Sequence, residues 1–154
     1  RRYLDTVAEK ELAHARRLSR PFAVIMLDID HFKRFNDLHG HAAGDQALIG
    51  VCDHLQKNIR EGDWLFRFGG EEFVLLLLES DRATAEARAS ELREGVAALS
   101  LRNGREALPP VTVSMGLAVF PDHGETLAGL LELADKALYE SKRAGRNRVT
   151  SAAA

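Results

Sequence analysis

The chain opens with apolar residues at helical spacing and continues into an uninterrupted apolar run. Positions 3–18 repeat apolar side chains every three or four residues, with charges between them, which predicts an amphipathic helix closed by Pro21. Residues 22–27 show no polar alternation and lead directly into Asp28, which predicts a central strand buried on both faces. The end of this strand is therefore a candidate functional position.

The next segments combine a helix with a hairpin. Apolar positions around Cys52 have helical spacing and give the thiol an ordinary place in the core. Strand-like runs at 63–68 and 73–78 flank Gly69-Gly70, which predicts a hairpin whose glycines take positive φ in a tight turn.

The second half of the chain, from residue 83, again shows helical and strand spacing. It predicts a helix at 83–99, an exposed turn at 102–105, a half-buried alternating strand at 111–119, and a helix at 126–144 that ends at Gly145. The resulting order of elements predicts an α+β sheet with helices packed on it, in one domain over residues 1–150 with a tail at 151–154.

Composition narrows the function. With 21 Lys and Arg against 23 Asp and Glu, the net charge of -2 provides no general positive field for nucleic acid or anionic lipid. One cysteine excludes an internal disulfide, and no apolar run approaches the roughly 18 to 20 residues of a membrane span. We therefore expect a cytoplasmic domain without direct membrane contact, which leaves open a larger, membrane-anchored parent protein.

Candidate chemistry lies at two places. Asp28-Ile29-Asp30 sets two carboxylates at the mouth of a buried strand, where a cation or hydrogen bonds must compensate their charge. Mg²⁺ suits such ligands, although a strand-terminal Asp can instead cap the next turn. Glu71 and Glu72 follow the paired glycines, and because glutamate is depleted in strands, Glu71 is a candidate to meet Asp28 across neighbouring strands.

Together these segments resemble the ordered signature of the GGDEF diguanylate cyclases over essentially the whole chain. The matching blocks are Asp28-Ile29-Asp30-His31-Phe32-Lys33, Asn36-Asp37, Gly40-His41 with Gly44-Asp45, Arg67-Phe68-Gly69-Gly70-Glu71-Glu72-Phe73, and Ala134-Asp135-Lys136-Ala137-Leu138-Tyr139 with Lys142 and Gly145-Arg146-Asn147. The resemblance implies a palm-like, ferredoxin-like sheet that is mostly antiparallel and flanked by helices, as in nucleotidyl cyclases.

The resemblance also implies a metal centre. Asp28 and Glu71, with the backbone carbonyl of Ile29, match the positions that bind two Mg²⁺ or Mn²⁺ ions per active site. Glu71 stands where the family name has Asp, which is an accepted active variant. Glu72 matches the second acidic residue of the signature, with either a metal-site or a proton-handling role.

Substrate positions follow from the same matches. Asn36 and Asp45 correspond to residues that hydrogen-bond the guanine edge of GTP, since a carboxylate accepts from guanine donors that adenine lacks. The residue pattern without the family resemblance fits a structural role equally well: Asp45 could be a carboxylate at the start of a helix, and Asn36 a residue at a helix end or in a turn.

The triphosphate would be held by basic side chains and backbone amides. Lys33, Lys142 and Arg146 match the basic residues, and the amides around His31 and Phe32 match the phosphate-binding turn. Lys142 has the alternative role of a cation that complements a helix C-terminus.

The implied reaction joins two GTP molecules into cyclic di-GMP and releases two pyrophosphates, with Asp28, Glu71, Glu72 and Lys142 in the catalytic centre. One guanine site per chain implies a homodimer. Arg60 and Asp63 match the Arg-x-x-Asp motif of product inhibition, although a solvated loop with an incidental charge pair remains the alternative. Arg88 and Arg93 are both candidates for a second product-binding arginine.

Two rival functions share the resemblance. One is a catalytically silent module that binds GTP or cyclic di-GMP as a receptor, and the other is a cyclase with another product. Arg1-Arg2 resembles the end of the family's opening motif, which implies a truncated N-terminal edge and an upstream sensory or receiver domain that is absent from this chain.

Overall fold

The computed structural model describes residues 2–153, which form five helices and seven strands. The helices are α1 (Arg2–Leu18), α2 (Phe32–His39), α3 (His41–Asn58), α4 (Arg82–Ala97) and α5 (Leu127–Arg143). The strands are β1 (Phe22–Ile29), β2 (Trp64–Arg67), β3 (Glu72–Leu78), β4 (Arg102–Asn103), β5 (Glu106–Ala107), β6 (Val113–Phe120) and β7 (Val149–Ser151).

The main sheet has five strands in the order β2-β3-β1-β6-β7. Strand β1 pairs antiparallel with both β3 and β6, β2 pairs antiparallel with β3, and only β6 and β7 run parallel. The predicted α+β class with a mostly antiparallel, palm-like sheet is therefore confirmed.

Helices cover both faces of this sheet. On one face, α2, α3 and α4 pack over a core that includes Ile25 and Leu27, and on the other, α1 and α5 pack over Val24 and Met26. Because both faces are covered, every residue of β1 is buried, as the unbroken apolar run predicted.

Strand β6 departs from the prediction of a half-buried strand. All eight of its residues are buried, because α4 packs on one face of β6 and α5 on the other. At Gly116 a Cβ atom would lie 2.2 Å from backbone atoms of Ala134 and Leu138, so only glycine allows α5 to approach this closely.

Several elements were not anticipated. The segment after β1 forms a helix of its own, α2, before Gly40 turns the chain into α3. The exposed turn at 102–105 lies within the short β4–β5 hairpin, where Gly104 has φ +63. The expected tail also begins later than predicted, since Ser151 ends β7 and Ala152 is buried, with its N–H bonded to the Leu117 carbonyl.

Side-chain caps begin the two long helices that follow β3 and β6. The Asp81 carboxylate accepts from the Thr84 N–H at 2.8 Å, and the Thr126 hydroxyl accepts from the Gly129 N–H at 3.1 Å. Within residues 2–153, none of the helices combines the length and the apolar character that crossing a bilayer requires.

Candidate active site

The antiparallel register of β1 and β3 brings the two acidic segments together. Asp28 lies directly opposite Glu72, and the Ile29 N–H donates to the Glu71 carbonyl at 3.1 Å. The end of the buried strand and the acidic turn therefore meet at one edge of the sheet. This is the approach that the sequence predicted for Asp28 and Glu71.

Asp28 is buried and only partly compensated. Its Oδ2 atom accepts a hydrogen bond from Nζ of Lys142, a residue of α5, and the two side chains form an ion pair. Its Oδ1 atom is buried and has no hydrogen-bond partner among the described residues. A buried carboxylate oxygen without a donor is costly, so this atom is a candidate ligand for a cation.

Glu71 shares this electrostatic environment. Burial raises the pKa of its carboxyl group, and the negative charges of Asp28 and Glu72 raise the pKa further, whereas Lys142 lowers it. The effect of the Asp28 charge on the pKa of Glu71 indicates that the two carboxylates are close enough to interact. A bound cation would relieve this repulsion.

The donor set fits a hard divalent ion. Asp28 supplies an unpartnered oxygen, Glu71 supplies a second carboxylate, and the Ile29 peptide lies next to both. Residues 2–153 contain no group of three or more His, Cys, Asp or Glu side chains placed to hold a metal. One or two carboxylates, with water and substrate phosphates, are what Mg²⁺ usually takes, so the residues present fit this ion.

Glu72, directly opposite Asp28, also borders a cleft beside α5. Its side chain lines this cleft, which has a volume of about 340 Å³, together with Met26, Phe68 and Leu131. Its carbonyl accepts from the Phe68 N–H at 2.8 Å and closes the hairpin. The charge of Glu72 thus raises the pKa of Glu71. The Glu72 backbone carbonyl closes the signature turn.

Asp30, the second carboxylate of the β1 segment, does not need a metal. Its oxygens accept hydrogen bonds from Thr112 Oγ1 and Ser114 Oγ, both at 2.6 Å, and from the Asn147 N–H at 3.0 Å. From the residue pattern, either a cation or hydrogen bonds could compensate these carboxylates, and the family resemblance assigned only Asp28 to the metal. The structure shows that hydrogen bonds compensate Asp30 and leave only Asp28 short of donors.

The signature hairpin is held by an arginine. Arg67 donates to the Gly69 carbonyl from Nε at 3.2 Å and to the Gly70 carbonyl from Nη2 at 2.7 Å. The prediction that Gly69 and Gly70 take positive φ is wrong, since neither is among the positive-φ glycines. The Arg67 side chain, rather than left-handed glycines, braces this turn.

The two candidate guanine-binding residues lie on facing helices. Asn36 is in α2 and Asp45 in α3, and a Cβ atom on Gly44 would lie 1.6 Å from Asn36 Oδ1. Asn36 Oδ1 is buried and has no hydrogen-bond partner within residues 2–153, and exposed Asp45 lines a cleft of about 350 Å³ that extends to Arg67. Asp45 lies one turn inside α3, which disfavours the alternative role of a helix-start carboxylate.

The candidate phosphate-binding groups surround the end of β1. His31 precedes α2 in a left-handed conformation (φ 55), and the first intrahelical bond is that from the Phe35 N–H to the His31 carbonyl. The amides of Phe32 and Lys33 therefore precede the helical hydrogen-bond ladder. Phe32 is buried as an anchor, and the Lys33 side chain is exposed.

Lys142 and Arg146 approach from the end of α5. Lys142 reaches Asp28, so its role is not limited to complementing the helix C-terminus. The Arg146 N–H donates to the Ser141 carbonyl at 2.9 Å, in a chain reversal after Gly145.

The predicted product-binding motif lies between α3 and β2, away from these carboxylates. Exposed Arg60 lines an open cleft with Arg88, whereas the Asp63 side chain is only 2% exposed. Asp63 Oδ1 accepts from the Leu78 N–H at 3.0 Å, and Oδ2 accepts from the Arg60 N–H at 3.0 Å and from Arg88 Nη2 at 2.7 Å. Asp63 is therefore a buried anchor of this loop, and its charge partner is Arg88 rather than Arg60.

The structure separates the two arginines between which the sequence could not choose. Arg88 pairs with Asp63 and faces the Arg60 cleft, whereas Arg93 donates from Nη1 to Asn147 Oδ1 at 2.9 Å, near the end of β1. Their spacing along α4 held no signal that assigned one to each site.

The fold and the site define a class of nucleotidyl-transfer domain, with a palm-like sheet and carboxylates at the ends of two neighbouring strands. A family model described as "Diguanylate cyclase, GGDEF domain" matches residues 1–148. The chain belongs to the GGDEF family of diguanylate cyclase domains.

Relatives share both sequence and fold. The diguanylate cyclase DosC of Escherichia coli K12 is 38% identical over 149 residues, which cover 97% of this chain and 32% of DosC. The GGDEF domain of DgcB from Caulobacter crescentus, solved in complex with c-di-GMP, is 35% identical with a TM-score of 0.91, covering 98% of this chain and 89% of that one. The active GGEEF domain of a Vibrio cholerae diguanylate cyclase is 31% identical with a TM-score of 0.90, covering 100% and 97%.

The chain spans about a third of the length of the curated relatives it matches. The shared region is the domain that contains the carboxylates described above.

Proposed function

We propose that this domain condenses two GTP molecules into cyclic di-GMP and releases two pyrophosphates. The observation that carries the proposal is the pairing of Asp28 with the Glu71 turn, in which a buried carboxylate oxygen is left without a donor beside Lys142. The relatives named diguanylate cyclase support the same reaction.

Asp28, Glu71 and the Ile29 carbonyl are the proposed ligands for Mg²⁺ or Mn²⁺, two ions per active site. Divalent-metal dependence is a property of the family. The chemistry that the bound ions supply is activation of the 3′-hydroxyl and neutralisation of charge on the α-phosphate. Glu71 must be ionised to act as a ligand, and Lys142 favours this form by lowering its pKa.

Binding of GTP divides between two groups of residues. Asn36 and Asp45 are proposed to hydrogen-bond the guanine edge, which favours GTP over ATP. Lys33, Lys142, Arg146 and the amides at His31 and Phe32 are proposed to hold the triphosphate. Because the net charge is -2, these local groups must supply the attraction for the substrate.

Catalysis is proposed to require two copies of the domain. Each chain has one Asn36 and Asp45 pair, so two GTP molecules meet only when two domains face each other across a two-fold axis. The 3′-hydroxyl of each nucleotide then attacks the α-phosphate of the other. Glu72, which lies opposite Asp28, is assigned to this site as an acidic group without a single fixed role.

Arg60 is the proposed contact for inhibitory cyclic di-GMP, with Arg88 held by Asp63 in the same cleft. Arginine recognises phosphate and the guanine edge through paired donors, which suits an anionic dinucleotide. The solved DgcB domain contains c-di-GMP, and product binding by a relative supports this proposal.

The test is product identification. Purified domain at high concentration is incubated with GTP and Mg²⁺, and the products are analysed by liquid chromatography and mass spectrometry, with Glu71→Gln as the matched inactive control. The proposal is supported if the unaltered domain forms cyclic di-GMP and pyrophosphate and the Glu71→Gln variant forms neither. GTP binding without product from concentrated, dimeric domain would replace it with the receptor function.

A further inference from the structure

Asp30 lies at the end of β1 with its charge fully engaged by hydrogen bonds. The side chains of Thr112 and Ser114 donate to it from the β6 side, and the Asn147 N–H donates from the segment after α5. Burying a carboxylate costs more free energy than burying a neutral side chain of similar size. We therefore expect the role of Asp30 to lie in the hydrogen bonds that it accepts.

The contact with Asn147 falls on an unusual stretch of backbone. Gly145, Arg146 and Asn147 have successive φ values of 121, 65 and 48. Arginine and asparagine adopt left-handed backbone at a cost, and such residues persist where the surrounding structure holds them. The Asp30 carboxylate supplies one of these restraints.

Arg146 lies between two anchors, one near the end of β1 and one on the residue that follows this strand. Before it, Lys142 on α5 pairs with Asp28, and after it, the Asn147 N–H is bonded to Asp30. Both anchors are at the end of β1, so the two ends of the intervening segment are held beside Asp28 and Asp30. The orientation of the Arg146 backbone thus depends on its neighbour's bond to Asp30.

We propose that Asp30 is a positioning residue, which holds the left-handed segment at 145–147 so that Arg146 faces the triphosphate of GTP. The inference rests on the proposed function and deepens it. Asp30 acts through Arg146 and makes no contact with the nucleotide itself. Arg93 supports the same segment from α4 through Asn147 Oδ1, but its contact is with the side chain rather than with the backbone.

The experiment compares Asp30→Asn with the unaltered domain. Asparagine keeps the shape but offers one acceptor oxygen in place of two, and it can still accept from the Asn147 N–H. Asp30→Leu, which has a similar volume and no acceptor, is therefore measured beside it, so that the Asn147 N–H loses its partner in at least one variant. Affinity for a GTP analogue with a methylene group between its α- and β-phosphates is measured by calorimetry with Mg²⁺. We expect about tenfold weaker binding of the analogue, the scale of one lost buried hydrogen bond, and unchanged binding of guanosine, which has no phosphate.

A double-mutant cycle separates positioning from general damage. In the Arg146→Ala background, Asp30→Asn should have little further effect on analogue affinity, because the residue through which Asp30 acts is gone. Asn147→Gly is the matched control. It removes the side chain bonded to Arg93 but keeps the N–H bonded to Asp30, and we expect analogue binding close to that of the unaltered domain.

Three results would overturn the proposal: unchanged analogue affinity in both Asp30 variants, equal loss of guanosine and analogue, or the full loss repeated in the Arg146→Ala background. If the Asp30 variants do not fold, Thr112→Val removes the hydrogen bond that orients Asp30 Oδ2, the oxygen that also accepts from the Asn147 N–H, and the same cycle is run on it. Failure of the unaltered domain to bind the analogue would remove the proposed function as well, so the two failures are distinguishable.

Discussion

A hydrogen bond from Lys142 to Asp28 joins two residues 114 positions apart in the chain. It places the last turn of α5 against the end of β1 and engages one oxygen of a buried carboxylate. The other oxygen has no donor among the described residues. The pair therefore links the candidate metal position to the candidate phosphate-binding segment.

Replacing Glu71 by Ala should lower cyclic di-GMP formation by about a hundredfold or more, because a metal-binding carboxylate is lost. The unfolding temperature should stay unchanged or rise slightly, since burial and the charge of Asp28 disfavour ionised Glu71. Product formation is measured by mass spectrometry, with Glu106→Ala, an exposed change in β5 outside both proposed sites, as the control. Full activity of Glu71→Ala would remove this residue from the site.

Mg²⁺ binding should strengthen as pH rises through the raised pKa of Glu71, because proton and metal compete for the same carboxylate. Lys142 lowers this pKa, so Lys142→Met should move the midpoint of the metal-binding curve to higher pH. Calorimetric Mg²⁺ titrations over a pH series give the midpoint separately from the limiting affinity. A midpoint that moves to lower pH would contradict the assignment.

Substitutions of Asp63 and Arg60 should have different effects, the first on stability and the second on the binding of cyclic di-GMP. Asp63→Asn should lower the free energy of unfolding by about 3 kcal/mol, because it breaks a buried pair and leaves Arg88 without its counter-ion. Arg60→Ala should change stability by less than about 0.5 kcal/mol, since this side chain is exposed. It should nevertheless weaken cyclic di-GMP binding at least tenfold, the scale of a lost bidentate arginine contact.

Urea denaturation and calorimetry with cyclic di-GMP measure the two effects. Undiminished affinity in Arg60→Ala would show that the product binds elsewhere.

Gly44→Ala should weaken GTP binding without unfolding the domain. The added Cβ would lie 1.6 Å from Asn36 Oδ1, so the Asn36 side chain must move. Gly50→Ala is the matched control, because Gly50 lies in the same helix as Gly44 but away from Asn36. Its added Cβ would lie 2.6 Å from Leu101 Cδ2. Equal GTP affinity in the two variants, measured by calorimetry, would argue against a guanine contact at Asn36.

Stability should fall as the pH drops below neutrality because of His123. Burial lowers the pKa of this imidazole, Arg82 lowers it further, and the neutral ring accepts from the Val119 N–H at 2.8 Å. The unfolded chain therefore binds more protons between the two pKa values, and stability is lost as pH falls from the unfolded value towards the folded one. His123→Asn keeps an acceptor that does not titrate, so urea denaturation of this variant should show a weaker pH dependence.

Hydrophobic spacing determined most of the elements and the class of the fold. The apolar run before Asp28 predicted β1, and the spacing after residue 126 predicted α5, because burial on a sheet or a helix requires these periods. The ordered motifs also located Asp28 and Glu71 at the ends of neighbouring strands. Short elements such as α2, β4, β5 and β7 contain too few residues for a periodic signal.

The spacing of residues along the chain could not predict which buried side chains form hydrogen bonds with one another. The residue pattern set Asp28 and Asp30 side by side, and the family resemblance favoured Asp28 as the metal ligand without a physical reason. Tertiary contacts with Thr112, Ser114 and Asn147 supply that reason, because they satisfy Asp30 and leave Asp28 short of donors. Hydrogen bonding and burial depend on residues far apart in the chain. The sequence by itself thus determined which residues are available for chemistry, and the packing of β6, α4 and α5 against β1 decided which carboxylate is free to bind a cation.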